Sequence, residues 1–337
     1  MSRLTLPLMI LVVVLTALFS LSLGQYRIPV RELLDFVAWK TLGLNGISEE
    51  KKVLLENILF NIRLPRVLAA ILIGASLSVS GAAFQALFVN PLVSPGLLGV
   101  LAGASFGAAF GMIFSNSWLI VQLSTLIFGF IAVGATLGIA RVYRSNAIIM
   151  LVLGGIISGA FFTSLLSILK YTADPYNQLP AIVYWLMGSL ASVDRGTVLI
   201  ISLPAIIGIL IIILHARQIN ILSMGEEEAQ SLGVNVQQVR LTVIFAATMI
   251  SALTVVVGGM IGWVGLIIPH ICRMVIGPNN EALLPVAALT GAVYLLLIDD
   301  ISRLLFIFEI PIGIVTSITG IPFFVLVLRN ARRGGWR

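Results

Sequence analysis

Apolar blocks of close to twenty residues, separated by short polar punctuation, run along the whole chain. A hydrocarbon layer about 30 Å thick is crossed by roughly 20 residues of helix, so each block predicts one membrane span. The blocks fall near 4–23, 67–88, 93–114, 117–140, 147–169, 196–214, 241–262, 263–276, 281–298 and 311–328. Ten spans put both termini on one side. The block at 263–276 is too short to cross unaided, and Gly258, Gly259, Gly262 and Gly265 cluster around its start. We expect 241–276 to form two broken or re-entrant segments. Irregular backbone at that depth survives only when it is buried in protein or lines a cavity. The first block follows a single cation, Arg3, and has only a weak small-residue signal near Ser20 and Ser22. It reads as a retained span rather than a cleaved leader.

The gaps between blocks carry their own patterns. In the longest, 24–66, Pro29 precedes VRELLDFVAWK, with apolar positions at 30, 33, 34, 37 and 38. That spacing predicts an amphipathic helix, lying in the membrane interface or acting as a soluble cap. In the third block Gly99, Gly103, Gly107 and Gly111 recur every fourth residue. They mark one helix face for close backbone approach, either within the chain or across a dimer seam. Asn90, Pro91 and Pro95 interrupt the chain between the second and third blocks, as a plain turn or as part of a gate.

One gap is acidic. Residues 223–235 read SMGEEEAQSLGVN. Ser223 and Glu226 have capping-box spacing, and Glu226, Glu227 and Glu228 suit the positive end of a helix dipole. The pattern predicts a helix over 224–232, about 14 Å long. Gly233 stops it, and Asn235 caps a second helix with Gln238 three residues on. Two rigid short helices are more than a link requires. They read as a docking element, or as a polar lid on the bundle.

Composition excludes a water-soluble globule. Hydrophobic residues make up 59% of the 337 and charged residues 10%, against roughly 25% in soluble domains. The lipid bilayer is therefore the solvent. The net charge of +6 is scattered between apolar blocks without interleaved aromatics, which gives no nucleic-acid surface. Outside the 24–66 loop, ten Lys and Arg fall on the side of the termini and three (Lys170, Arg195, Arg303) on the other. That bias predicts cytoplasmic termini.

The missing charges narrow the chemistry. From Val67 to Ala140 there is no Asp, Glu, Lys or Arg. No carboxylate falls at membrane depth in the predicted spans, Glu281 standing at the very start of its block, which disfavours an ion- or proton-coupled secondary transporter, the alternative reading. No lysine follows a glycine, so the chain has no phosphate-binding loop of its own. His215 and His270 are far apart, Cys272 is the single cysteine, and no carboxylate pair has metal-ligand spacing. The reading is of a non-catalytic chain with no cofactor and no metal site.

Specific motifs add a resemblance. RLPR at 63–66 leads into GASLSVSGAAFQALFVNPLVSPGLLGVLAGA at 74–104; LSMGEEEAQSLGV stands at 222–234, GMIGWVGLIIPHICR at 259–273 and EIPIGIVTSITGIPFF at 309–324. Together these resemble the FecCD-type permeases of ABC importers for ferric siderophores, haem, cobalamin and, in some members, molybdate or tungstate. The resemblance implies an all-α, ten-helix permease domain over 1–337 with the type II ABC importer permease fold, in a bacterial inner membrane. It implies a second copy of the chain, two ABC ATPase subunits on the cytoplasmic side and a periplasmic substrate-binding protein. It assigns ATPase coupling to Ser223, Met224, Gly225, Glu226, Glu227, Glu228, Ala229, Leu232, Gly233, Asn235 and Gln237. It assigns binding-protein docking to Arg63, Arg66 and Arg303, with Asp299 expected to brace Arg303 and Glu309 to complement the last helix. Pro269, His270 and Arg273 are expected to set the fold.

Overall fold

The computed structural model describes residues 5–26, 28–43, 48–142 and 147–331. Among these the chain is helical, with no strand. The elements are α1 (Thr5–Ser22), α2 (Val30–Leu42), α3 (Glu49–Glu56), a π-helical segment Asn57–Arg63, α4 (Leu64–Leu87), a 3-10 turn Pro95–Leu98, α5 (Val100–Phe114), α6 (Trp118–Val142), α7 (Ala147–Thr172), α8 (Gln178–Leu186), α9 (Arg195–Leu214), α10 (Ala216–Leu222), α11 (Glu226–Ser231), α12 (Val236–Gly258), α13 (Val264–Ile276), α14 (Asn280–Leu304) and α15 (Ile312–Ala331). Seven described helical stretches are long and apolar enough to cross a membrane, and α5, α13 and 312–325 are shorter apolar helices. These ten cover the ten predicted blocks.

The centre is α4. In its most apolar window 83% of residues are buried, against 28–33% in α6, α7 and α9, whose outer faces are left for lipid. It is lined with small residues, and α14, α12, α13 and α9 all pack on it. Gly74 meets Gly291 of α14 so closely that a Cβ there would lie 2.2 Å from the Gly291 carbonyl oxygen. Lipid supplies no hydrophobic drive between helices, so such close van der Waals fit holds them. The glycine ladder of α5 is an intrachain crossing: Gly103, Gly107 and Gly111 lie against Phe128, Ser124 and Val121 of α6, and Gly99 turns at φ +80° against α7.

Two regions depart from simple spans. Helix continues from Glu49 to Leu87, 39 residues, so its first part projects beyond a hydrocarbon core. A π-helical turn, Asn57–Arg63, precedes Pro65, which stands at the start of α4. Against this projection Phe36 of α2 and Ile28 just before it pack with Leu55 and Leu59, forming a separate small core. Leu34, Val37 and Leu42 stay exposed on its other side. The amphipathic helix is thus a packed cap with residual apolar surface. The predicted break between α12 and α13 is also present: Gly259 (φ +66°) and Trp263 (φ +70°) take left-handed backbone there. In tryptophan this conformation is a strained one, held by its surroundings.

Candidate functional site

The helices run so that two ends of the bundle collect its polar residues. At one end stand the last turns of α1 and α14 and the first turn of α4. Arg66 donates from Nε to both carboxylate oxygens of Asp299 at 3.0 Å, and from Nη1 to Glu309 at 2.8 Å. Arg303 pairs with Asp300, and its Nη2 also donates to the Ser20 carbonyl at 2.7 Å. Ser20 Oγ donates to Asp300 at 2.8 Å. Arg63 donates to the carbonyls of Leu21 and Ser22 at 2.7 and 3.1 Å. Arg63 and Arg303 thereby satisfy the orphan carbonyls at the C-terminus of α1.

This geometry revises several expectations. Arg63, Arg66 and Arg303 are only 4–6% exposed, and each spends its guanidinium on internal partners. They are not presented to a soluble protein, so charge reversal here would break the bundle before it tested docking. The main partner of Asp299 is Arg66, with Arg303 Nε 3.8 Å away. Glu309 is likewise an ion-pair partner of Arg66 rather than a dipole complement on α15. The predicted span 281–298 stops one residue short of two buried carboxylates, Asp299 and Asp300, because α14 continues to Leu304. The adjacent acidic pair closing a long apolar run was the available signal; Ser20 and Glu309 gave none.

The other end gathers α10, α11 and the starts of α12 and α14. The capping box does not form. Ser223 ends α10, its hydroxyl donating to Ile219 O at 2.9 Å, and Gly225 (φ +133°) is the N-cap of α11. The acidic helix is therefore Glu226–Ser231, shorter than predicted, because α10 claims the residues before it. Gly233 (φ +76°) ends the turn, and Asn235 caps α12 by accepting from Gln238 N at 3.0 Å.

These helices are seated firmly. Ala229 is fully buried, Glu226 pairs with Arg240 of α12, and Asn220 of α10 accepts from Asn280 N at the start of α14, 2.8 Å. Glu227 and Glu228 are exposed, flanked by Met224 and Leu232, which are 68% and 63% exposed, and by exposed Gln237. A cavity of about 520 Å³ beside them is lined by Asn90, Pro91, Ser223, Met224 and Arg273. The fold thus brings the α4–α5 turn to the acidic segment, across more than a hundred residues of sequence. Arg273 Nη1 donates to Gln85 Oε1 at 2.9 Å, tying α13 to α4. Pro95 is not in this group; it is buried against Gly265. Nothing local in the sequence links Arg240 to Glu226, fourteen residues earlier.

Comparison with known proteins accounts for this arrangement. The chain is 37% identical over 325 residues to the molybdate import system permease protein MolB of Haemophilus influenzae, covering 96% of this chain and 95% of that one. It is 36% identical over 335 residues to the hemin transport system permease protein HmuU of Yersinia pestis, covering 97% and 96%. A solved structure of an inward-facing, metal-chelate type ABC transporter superposes with a TM-score of 0.84 at 36% identity, covering 96% and 98%. PsaBC from Streptococcus pneumoniae shares the fold alone, with a TM-score of 0.57 at 18% identity over 87% and 94% of the two chains. The model of the FecCD transport family matches residues 10–330, and the chain belongs to that family of multi-pass membrane transport permeases.

Proposed function

We propose that the chain is the permease subunit of a binding-protein-dependent ABC importer, moving a metal chelate or metal oxyanion inward by ATP-driven alternating access. In this reading two copies work with two ATPase subunits in a bacterial inner membrane, with both termini cytoplasmic. The observation that carries it is the surface of α11. Exposed Glu227 and Glu228 between exposed Met224 and Leu232 sit on a helix whose reverse side is locked to α10 and α12. A partner pressing on that surface moves α12 as a lever and, through Asn220–Asn280, α14. Ser223, Met224, Gly225, Glu226, Glu227, Glu228, Ala229, Leu232, Gly233, Asn235 and Gln237 together form this coupling element. Asn90 and Pro91 line the cavity beside it and follow its movement. ATP and cargo each shift the balance of inward and outward states only through unequal affinity for them.

The binding protein acts at the opposite end. With the arginines sequestered, it meets the loop after α14, where Phe306, Ile307 and Phe308 are exposed. Asp299 and Asp300 are held in ion pairs, which removes them as sites for a coupling ion.

Reconstitution tests the reading. Proteoliposomes holding the chain with its ATPase subunits and binding protein should accumulate cargo only with ATP. The chain alone, under an imposed proton gradient, should accumulate none. Uptake by the chain alone would replace this reading with a secondary transporter.

A further inference from the structure

Three breaks in the helical pattern meet at one place: the end of α8, the 258–263 segment between α12 and α13, and the start of α15. Ser189 N donates to Gly258 O at 3.0 Å, Ile312 N to Gly188 O at 2.8 Å and Gly313 N to Met187 O at 3.1 Å. A helix leaves its first N–H groups without an intrahelical partner. Here the first two of α15 are met by carbonyls just beyond α8, so the end of one helix caps the start of another. The negative end of α8 also faces the positive end of α15.

Each of the three segments brings a glycine to this junction. A Cβ on Gly188 would lie 2.8 Å from Met260 O, one on Gly259 2.1 Å from Trp185 O, and one on Gly313 2.4 Å from Met187 O. Gly188 and Gly259 also hold left-handed backbone, at φ +80° and +66°. Trp263, itself left-handed, lies against α15 further along, with its ring centroid 6.2 Å from that of Phe324. The elements joined here are otherwise held unequally. α12 is locked into the centre, 78% buried in its most apolar window. α8 packs chiefly on α5, and α15 on α13 and α14. Met187 and Met260 line two cavities, of about 760 and 410 Å³, so the junction is part of a wall that both share.

We propose that this junction fastens α8 to α15 as one moving body, which swings on the glycine-rich 258–263 segment while α12 stays fixed. This rests on the permease reading and names a working part within it. Backbone groups paired away from water are costly to separate and leave unmet. α8 and α15 therefore travel together, through Met187 O and Gly188 O. The rotation falls on the glycines of the break, which take either sign of φ at little cost. Gly262 has open space where a Cβ would stand. The Ser189–Gly258 hydrogen bond sits at the pivot, where the moving pair meets the fixed end of α12.

The test uses the complete complex in proteoliposomes, with molybdate, haemin and a ferric hydroxamate offered in turn and uptake followed for the probe that the parent carries. Paired cysteines are joined by a cleavable bis-maleimide; the one native cysteine, Cys272, is buried. Ser189→Cys with Pro311→Cys flanks the Gly188–Ile312 hydrogen bond and lines neither cavity. Linking this pair should leave uptake per ATP hydrolysed at the parent level. Ile113→Cys with Leu179→Cys, both packed on the Phe106–Ile182 cluster, ties α8 to α5 instead. Linking that pair should lower uptake about tenfold, and cleaving the linker should restore it. Gly313→Ala pushes α15 off Met187 O and should also lower uptake about tenfold, with the 189–311 link restoring most of it. Should Gly313→Ala fail to fold, the two links in the parent chain decide alone. Uptake lost on linking 189 to 311 and regained on cleavage means that α8 and α15 part during the cycle. Parent-level uptake with 113 linked to 179 means that α8 does not move. Either result overturns the proposal and leaves the permease reading standing. Uptake by the chain without its ATPase subunits removes the permease reading and this proposal with it.

Discussion

The two ends of the bundle use charge in opposite ways. At the end formed by α1, α4 and α14, Arg66, Arg303, Asp299 and Asp300 are 0–6% exposed and pair with one another. At the other end Glu226 alone is paired, while Glu227 and Glu228 face outward beside exposed Met224 and Leu232. A charge withdrawn from water must be matched inside the protein, and once matched it has nothing left to offer a partner. A charge left in water costs little and stays available. The ion-paired end is therefore a clamp that holds three helices together, and the acidic end keeps the free charge that the proposed contact surface requires. Chemically similar side chains are assigned opposite roles by burial alone.

Three variants would break or sharpen this contrast. The largest effect belongs to the clamp. Asp299→Ala leaves Arg66 without its main counter-charge and should cost about 3–5 kcal/mol. Reversible unfolding in mixed micelles should show it, and parent stability would mean the pair is not a clamp. Next comes the contact surface. The double change Glu227→Lys with Glu228→Lys should leave stability within about 0.5 kcal/mol. The same change should weaken association with the ATPase subunits about tenfold, or ~1.4 kcal/mol. Titration of the purified subunits measures it, and unaltered affinity would count against the coupling surface. The smallest effect concerns the turn between α11 and α12. Asn235→Ala removes the cap of α12 and should cost about 1 kcal/mol, seen as faster hydrogen exchange in its first turn.

Some of these features could be read from the chain in advance. The ten apolar blocks, the broken 241–276 region, the left-handed stop at Gly233 and the cap at Asn235 all depend on neighbours within a few residues. Local patterns of that kind are visible in sequence. The capping box at Ser223 and Glu226 is the instructive failure. Its spacing was right, but α10 runs through Leu222 and leaves Ser223 as the end of a helix. Two local patterns competed for the same residues, and packing of α10 on α4 and α14 decided between them.

By itself the sequence determined that this chain lives in lipid, how many apolar spans it offers, and where its polar breaks fall. Each of these follows from the run length of apolar residues and the preferences of single positions. Only the tertiary structure decided which charges are spent internally and which are kept free. Arg66 and Asp299 are 233 positions apart, and Glu226 finds Arg240 on a different helix. Burial and pairing are properties of the assembled bundle, and a residue's charge takes its meaning from the neighbours that folding supplies.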